Sequence, residues 1–175
     1  ISLQEGAVVE FFPQENIYFP GAQVDTRTHL QVSPNSVAML WEKNCFGRPA
    51  NAEPFSQGRI ISKLEVTAGD CLIFTEKQRI DVDEINRASG LRGAPVVGTF
   101  LLYGVAMTSE LINELRAISP QQGIGGITQL SEELSIIRYM GCSTADVDDY
   151  FIALWRVLRP IMIKRQSCIP RIWNT

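Results

Sequence analysis

The chain has 175 residues, 45% of them apolar and 20% charged, with a net charge of −3 and a pI of about 5.2. That length supports one hydrophobic core, and the apolar content is that of a folded domain and not of a disordered segment. The mild acidity removes the electrostatic case for nucleic-acid binding, and no apolar run approaches the roughly 20 residues that a membrane-spanning helix needs.

The opening, Ile1-Ser-Leu-Gln-Glu-Gly6, has neither the basic nor the apolar region of a secretory signal, and it lacks an initiator Met, which points to material removed upstream. Val8–Phe12 stops at Pro13 and Ile17–Phe19 at Pro20-Gly21, so both predict short strands. From Gln23 to Val32 the pattern alternates, with Val24, Thr26, Thr28, Leu30 and Val32 on one face. This predicts a half-buried antiparallel strand. A strand-like run, Val37–Leu40, leads into Trp41–Phe55, where an acid, a thiol, a guanidinium and aromatics cluster around Gly47 and Pro49. That composition predicts a turn carrying polar groups, the usual seat of function on a rigid scaffold.

Ile60–Val66 and Cys71–Thr75 flank Ala68-Gly-Asp70, a hairpin signal, and Val96–Tyr103 reads as an interior strand. Many short strands with close turns predict a mainly β, layered body. The last third changes character. Thr108 or Ser109 can cap a helix carrying Leu111, Ile112, Leu115 and Ile118, closed by Pro120. Ser143-Thr-Ala-Asp146 resembles a capping box, and Val147, Tyr150, Phe151, Leu154, Trp155 and Leu158 then form one apolar helical stripe that Pro160 ends or kinks.

Candidate chemistry is sparse. The single histidine, His29, falls on the polar face of its strand with no nucleophile beside it in sequence. Glu42 and Cys45, with Glu53 nearby, offer a carboxylate and a thiol to a borderline-soft ion such as nickel or zinc, but not the four ligands of a closed site. Cys45 is expected to be a buried small hydrophobe, with Glu42 either paired to Arg48 or held for another role. Gly123–Gly126 lacks the Lys-Ser/Thr ending of a phosphate loop and reads as a flexible connection. Asp81, Asp83 and Glu84 lack the glycine and distal Glu of a calcium loop and read as a solvated turn. Cys45, Cys71, Cys142 and Cys168 form no C-x-x-C pair, which argues against structural zinc and for a reducing cytoplasm. The tail, Cys168–Thr175, places Arg171 and Trp173 near the chain end, where they either pack back on the core or anchor a partner.

Seven segments, in order, resemble the urease accessory protein UreD (UreH) family. They are Pro13–Pro20, Trp41-Glu42, Cys45-x-Gly-Arg-Pro49, Glu53-x-Phe55, Gly93-x-Pro-Val-x-Gly-Thr99, Trp155-x-x-Leu-Arg-Pro160 and Pro170–Thr175. The resemblance spans essentially the whole chain. It implies one domain over residues 1–175, corresponding to the C-terminal portion of a UreD-like domain whose N-terminal part is absent. The implied fold is a stacked, β-helix-like body of antiparallel and mixed strands with two α-helices in the C-terminal third.

The implied function is not catalysis. Family members assemble with UreF and the GTPase UreG on apo-urease, with a homodimer of the accessory complex as a further implied assembly, and assist nickel insertion. No tightly bound cofactor is implied, only a transient nickel ion that passes through the protein. On this resemblance Glu42, at a strand end, is the first candidate ligand, with Asp81 and Asp83 behind it. Trp155, Arg159, Arg171 and Trp173 are the candidates for partner binding. Two other readings stand beside it: a Cys45–His29 hydrolase, and a β-rich interaction module unconnected with urease.

Overall fold

A computed structural model describes residues 1–174. Its centre is β4 (Val37–Arg48), which pairs antiparallel with β8 (Val96–Tyr103) on one side. On the other side it pairs parallel with β1 (Val8–Phe11) and β2 (Asn16–Tyr18) at successive positions, and its end meets the short β5 (Glu53–Pro54). Beyond β8 the sheet continues antiparallel through β10 (Leu134–Gly141) to β9 (Ile124–Gln129). A second sheet of three strands stacks on one face, in the order β3 (Gln23–Val32), β6 (Arg59–Ala68), β7 (Cys71–Ile80). The helices α2 (Ser109–Ala117) and α3 (Thr144–Ile163) cover the other face, and a short α1 (Val82–Asn86) follows β7. The body is therefore mainly β and layered, as the sequence predicts, with two longer helices in its C-terminal part.

Alternation along β4 explains its central place. Ala38 and Phe46 point toward the smaller sheet, while Met39, Trp41 and Cys45 point toward the helices. A strand covered on both faces reads as a near-continuous apolar run, and β8 repeats the pattern with Leu101 and Tyr103 against Phe100 and Leu102. The helix α3 begins where Ser143 Oγ accepts from the Asp146 amide at 3.2 Å. It then buries Val147, Tyr150, Phe151, Leu154, Trp155, Leu158 and Met162. Gly98 on β8 makes the close approach possible: a Cβ there would lie 2.7 Å from both Phe151 and Val147. A charged clamp ties the far edge to the same helix. Glu10 of β1 accepts from Trp155 Nε1 at 2.7 Å and from Arg159 Nε and Nη2 at 3.0 Å.

Five local expectations are corrected. The strand β3 keeps its predicted bounds and inward face, yet it pairs parallel with β6 and not antiparallel. The chain leaves β3, runs through β4 in the other sheet, and returns as β6 in the same direction; such a crossover makes parallel neighbours. Glu42 lies in the middle of a twelve-residue strand and not at a strand end or on a turn. Gly123–Gly126 mostly belongs to β9, paired with β10, and is not a loose connection. Asp81–Glu84 form the start of α1 instead of a solvated turn. Pro160 stays inside α3, which ends at Ile163 with Lys164 left-handed.

Candidate functional site

The space between the two sheets is not uniformly apolar. In the larger sheet, Glu42 of β4 stands opposite Thr99 of β8, Thr99 opposite Arg138 of β10, and Arg138 opposite Gly126 of β9. In the smaller sheet, Thr28, Leu64 and Glu76 form the matching row across β3, β6 and β7. The two rows meet: the Thr28 hydroxyl donates to Glu42, and Arg138 Nη1 donates to Glu76 at 2.7 Å and to Thr99 Oγ1 at 2.7 Å. Two residues along, Thr26, Ser62 and Gln78 make the next row of the smaller sheet. In the larger sheet at that level, Asn44 Oδ1 accepts from Tyr18 Oη at 3.2 Å and from Asn16 Nδ2 at 3.1 Å.

These polar rows divide the interior. Leu30, Val32, Val66 and Leu101 pack on one side, and Phe46, Phe55, Ile60 and Ile80 on the other. At the β7 edge the layer opens into a cleft of about 380 Å³ whose walls include Glu76, Gln78, Thr99 and Arg138.

Burial is the main force on Glu42 and pushes its pKa up; the Thr28 bond pulls it back, and the negative charge of Glu76 adds to the rise. One guanidinium thus stands among two carboxylates and several neutral oxygens. The guanidinium is paired to Glu76, and Glu42 is met by the Thr28 hydroxyl. Among the described residues no three His, Cys, Asp or Glu side chains converge as a metal-holding group, so the chemistry available is loose oxygen contact and not a cage.

The remaining sequence candidates fall elsewhere. Asp81 accepts from the Glu84 amide at 3.1 Å as the cap of α1 and pairs with Arg79 at 3.4 Å, while Asp83 sits exposed in the first helical turn. Both serve the β7–α1 corner. Arg48 pairs with Glu53 and not with Glu42, from which it is separated by six strand positions, about 20 Å. Trp155, Arg159 and Trp173 gather in one group. The Trp155 and Trp173 rings are 5.2 Å apart, and Arg159 lies 5.4 Å from the Trp155 centroid. Trp155 is only 2% exposed, so it packs and presents no surface; Arg171 and Ile172 are exposed in the tail, as are Cys168 and Pro170.

The hydrolase constellation does not assemble. His29 bonds to Thr67 Oγ1 at 2.9 Å on the outer face of the smaller sheet, whereas Cys45 is buried in the helix-side core of the other. Burial, aided by the charge of Glu15, pushes the Cys45 thiol up to about 11. At pH 7.5 iodoacetamide is therefore expected to alkylate the exposed Cys71, Cys142 and Cys168 at ordinary rates. Cys45 should react roughly 100-fold more slowly; labelling of Cys45 at the rate of the exposed three would refute this placement.

Sequence reasoning missed Thr99, Glu76, Arg138, Asn44 and Tyr18 as neighbours of Glu42. A signal existed: Thr26 and Thr28 interrupt the inward face of β3, and Arg138 interrupts the apolar run of β10. Polar residues at inward strand positions need partners from the facing layer.

Comparison with known proteins gives the family. The UreD urease accessory protein family matches residues 1–174. The "Urease accessory protein UreD" of Pseudomonas paraeruginosa (strain DSM 24068 / PA7) is 34% identical over all of this chain and 62% of its own length. Proteins of the same name from Alcanivorax borkumensis and Trichormus variabilis are 32% and 35% identical over all of this chain, and over 60% and 63% of their own lengths. The chain thus spans about three-fifths of the length of these curated relatives. It belongs to the UreD family of urease accessory proteins.

Proposed function

We propose that this chain acts in urease maturation as a non-catalytic scaffold that assembles with UreF and UreG on apo-urease and assists nickel insertion in the cytoplasm. The observation that carries the reading, beside family membership, is the half-buried row Thr28–Glu42–Thr99–Arg138–Glu76 between the two sheets. An ionisable carboxylate held between two sheets costs stability unless it is used or paired. Here it is met by a hydroxyl and not by a cation, and it lies in line with the Glu76–Arg138 mouth. Nickel is cargo in this scheme. It would exchange among oxygen ligands that hold it weakly enough to release it, Glu42 first. Asp81 and Asp83, fixed at the β7–α1 corner, are the outlying candidates for the same ion. Arg171 and Ile172 extend the tail's contact with a partner protein, on a base fixed by Trp155, Arg159 and Trp173.

The test is complementation. Cells deleted for their own D-type gene and supplied with the gene for this protein are expected to regain urease activity, with nickel in the enzyme. The tagged protein is expected to bring UreF down from the same cells. A soluble, folded product that captures no UreF and restores no urease activity overturns the reading.

A further inference from the structure

A second cavity, of about 230 Å³, lies on the opposite face of the larger sheet from the polar layer. Its walls are Glu15 after β1, Trp41 and Lys43 on β4, Asp148 and Ile152 on α3, and Trp173 from the tail. Lys43 is 3% exposed, bonded to Asp148, and 5.6 Å from the centroid of the Trp41 ring. Its ammonium shares the cavity lining with the carboxylates of Asp148 and Glu15, and Asp148 feels the negative charge of both Glu15 and Asp149. Glu15 is half-buried and forms no salt bridge among the described residues. The cavity is therefore short of one positive charge, and Glu15 is the group left unbalanced. Its negative charge is felt by both Asp148 and Cys45.

The fold shows nearby what such a set of groups accepts. Around the Glu10 carboxylate, the guanidinium of Arg159 lies against the Trp155 indole and bonds in two prongs, Nε donating to Oε1 at 3.0 Å and Nη2 to Oε2 at 3.0 Å. The cavity repeats two of those three parts, a carboxylate in Glu15 and an indole in the half-exposed Trp173, whose ring centroid is 5.0 Å from that of Trp41. The third part is missing. We propose that this cavity receives an arginine side chain of a partner protein, with its guanidinium against Trp173 and its fork on Glu15. A planar guanidinium suits both surfaces at once, since it stacks on aromatic faces and bonds a carboxylate bidentately. A bare divalent ion takes roughly six oxygen ligands, and of the two carboxylates on the lining Asp148 is already bonded to Lys43. A cavity of this volume holds a side-chain head and not a nucleotide or a larger cofactor.

The experiment needs neither nickel nor urease, so its outcome is separate from that of the functional proposal. The whole chain is titrated with Nα-acetyl-arginine methylamide while tryptophan fluorescence is followed. The expected result is a saturable change in the millimolar range, about ten-fold weaker with the acetyl-citrulline and acetyl-lysine counterparts. Glu15→Gln is expected to weaken the arginine probe about five-fold with no fall in thermal midpoint, because that carboxylate anchors nothing within the chain. No saturation, equal response to citrulline or lysine, or unchanged binding by the Glu15→Gln variant would each overturn the proposal.

Discussion

Trp41→Ala is expected to lower stability by about 3–5 kcal/mol, the range for removing a fully packed large aromatic. The indole is 1% exposed and lies in the core between the larger sheet, α3 and the tail. Phe12 stacks on it with centroids 4.1 Å apart, Trp173 lies at 5.0 Å, Phe100 at 5.4 Å and Phe151 at 5.9 Å. Its Nε1–H donates to the Pro13 carbonyl at 3.1 Å. Alanine would leave a void among Phe12 after β1, Phe100 of β8, Phe151 of α3 and Trp173 of the tail, and would strip that carbonyl of its donor. A domain of this size loses about 2–4 °C per kcal/mol, so the thermal midpoint should fall by roughly 10 °C. Trp41→Phe, which keeps most of the volume but not the donor, should lose less than half as much. A loss below about 1 kcal/mol for the alanine variant would mean that Phe12 and Trp173 close over the gap, contrary to the packing described.

Glu42→Gln is expected to separate stability from function. The folded state raises the pKa of Glu42 above its ordinary value of 4.5, chiefly by burial. A raised pKa means that the neutral form is the one the fold favours. Its contribution is complete below the unfolded pKa and is lost as pH rises through the folded value. At pH 7.5 the ionised carboxylate is therefore a burden on the fold. Glutamine, which keeps an acceptor for Thr28 and removes the repulsion from Glu76, should melt higher by about 2–4 °C. The advantage should vanish as pH falls below about 4.5, where the wild-type side chain is neutral too. In the complementation assay the same variant should restore urease roughly ten-fold less well, the scale of effect when a group around a metal is altered. A Gln variant whose advantage over the wild type is no larger at pH 7.5 than at pH 4 would contradict the burial of the charge. One that activates urease fully would remove Glu42 from the ion's route.

What the sequence made legible was whatever depends on neighbours along the chain. Ser143, the stripe from Val147 to Leu158 and the cap at Thr108 are local patterns, and α3 and α2 follow them closely. The alternation of β3 fixed its inward face residue by residue, yet the same alternation fits a parallel or an antiparallel partner, so its pairing was beyond reach. The segment from Trp41 to Arg48 misled because its polar residues suggested solvent. In fact Glu42, Lys43 and Asn44 are satisfied by Thr28, by Asp148 and by Tyr18 and Asn16, groups that lie 14 to 105 positions away. Glycines 125 and 126 suggested flexibility for the same reason. Gly125 instead makes room for a helix residue, since a Cβ there would lie 2.6 Å from the Tyr150 hydroxyl. Glu42 itself stood out in the sequence, but its surroundings belong to five strands that no local pattern links.

The polar layer also bears on how the chain finds its fold. A sandwich with a wholly apolar interior tolerates sliding of one sheet over the other by two residues, because hydrophobic attraction has no preferred address. Thr28 over Glu42 and Glu76 over Arg138 supply two addresses that only one alignment satisfies. Any displaced arrangement would strand a carboxylate and a guanidinium among leucines and phenylalanines, at a cost of several kcal/mol each. The groups proposed to pass an ion would thus also act as a combination lock during folding, rejecting misaligned intermediates before the helices close over the other face.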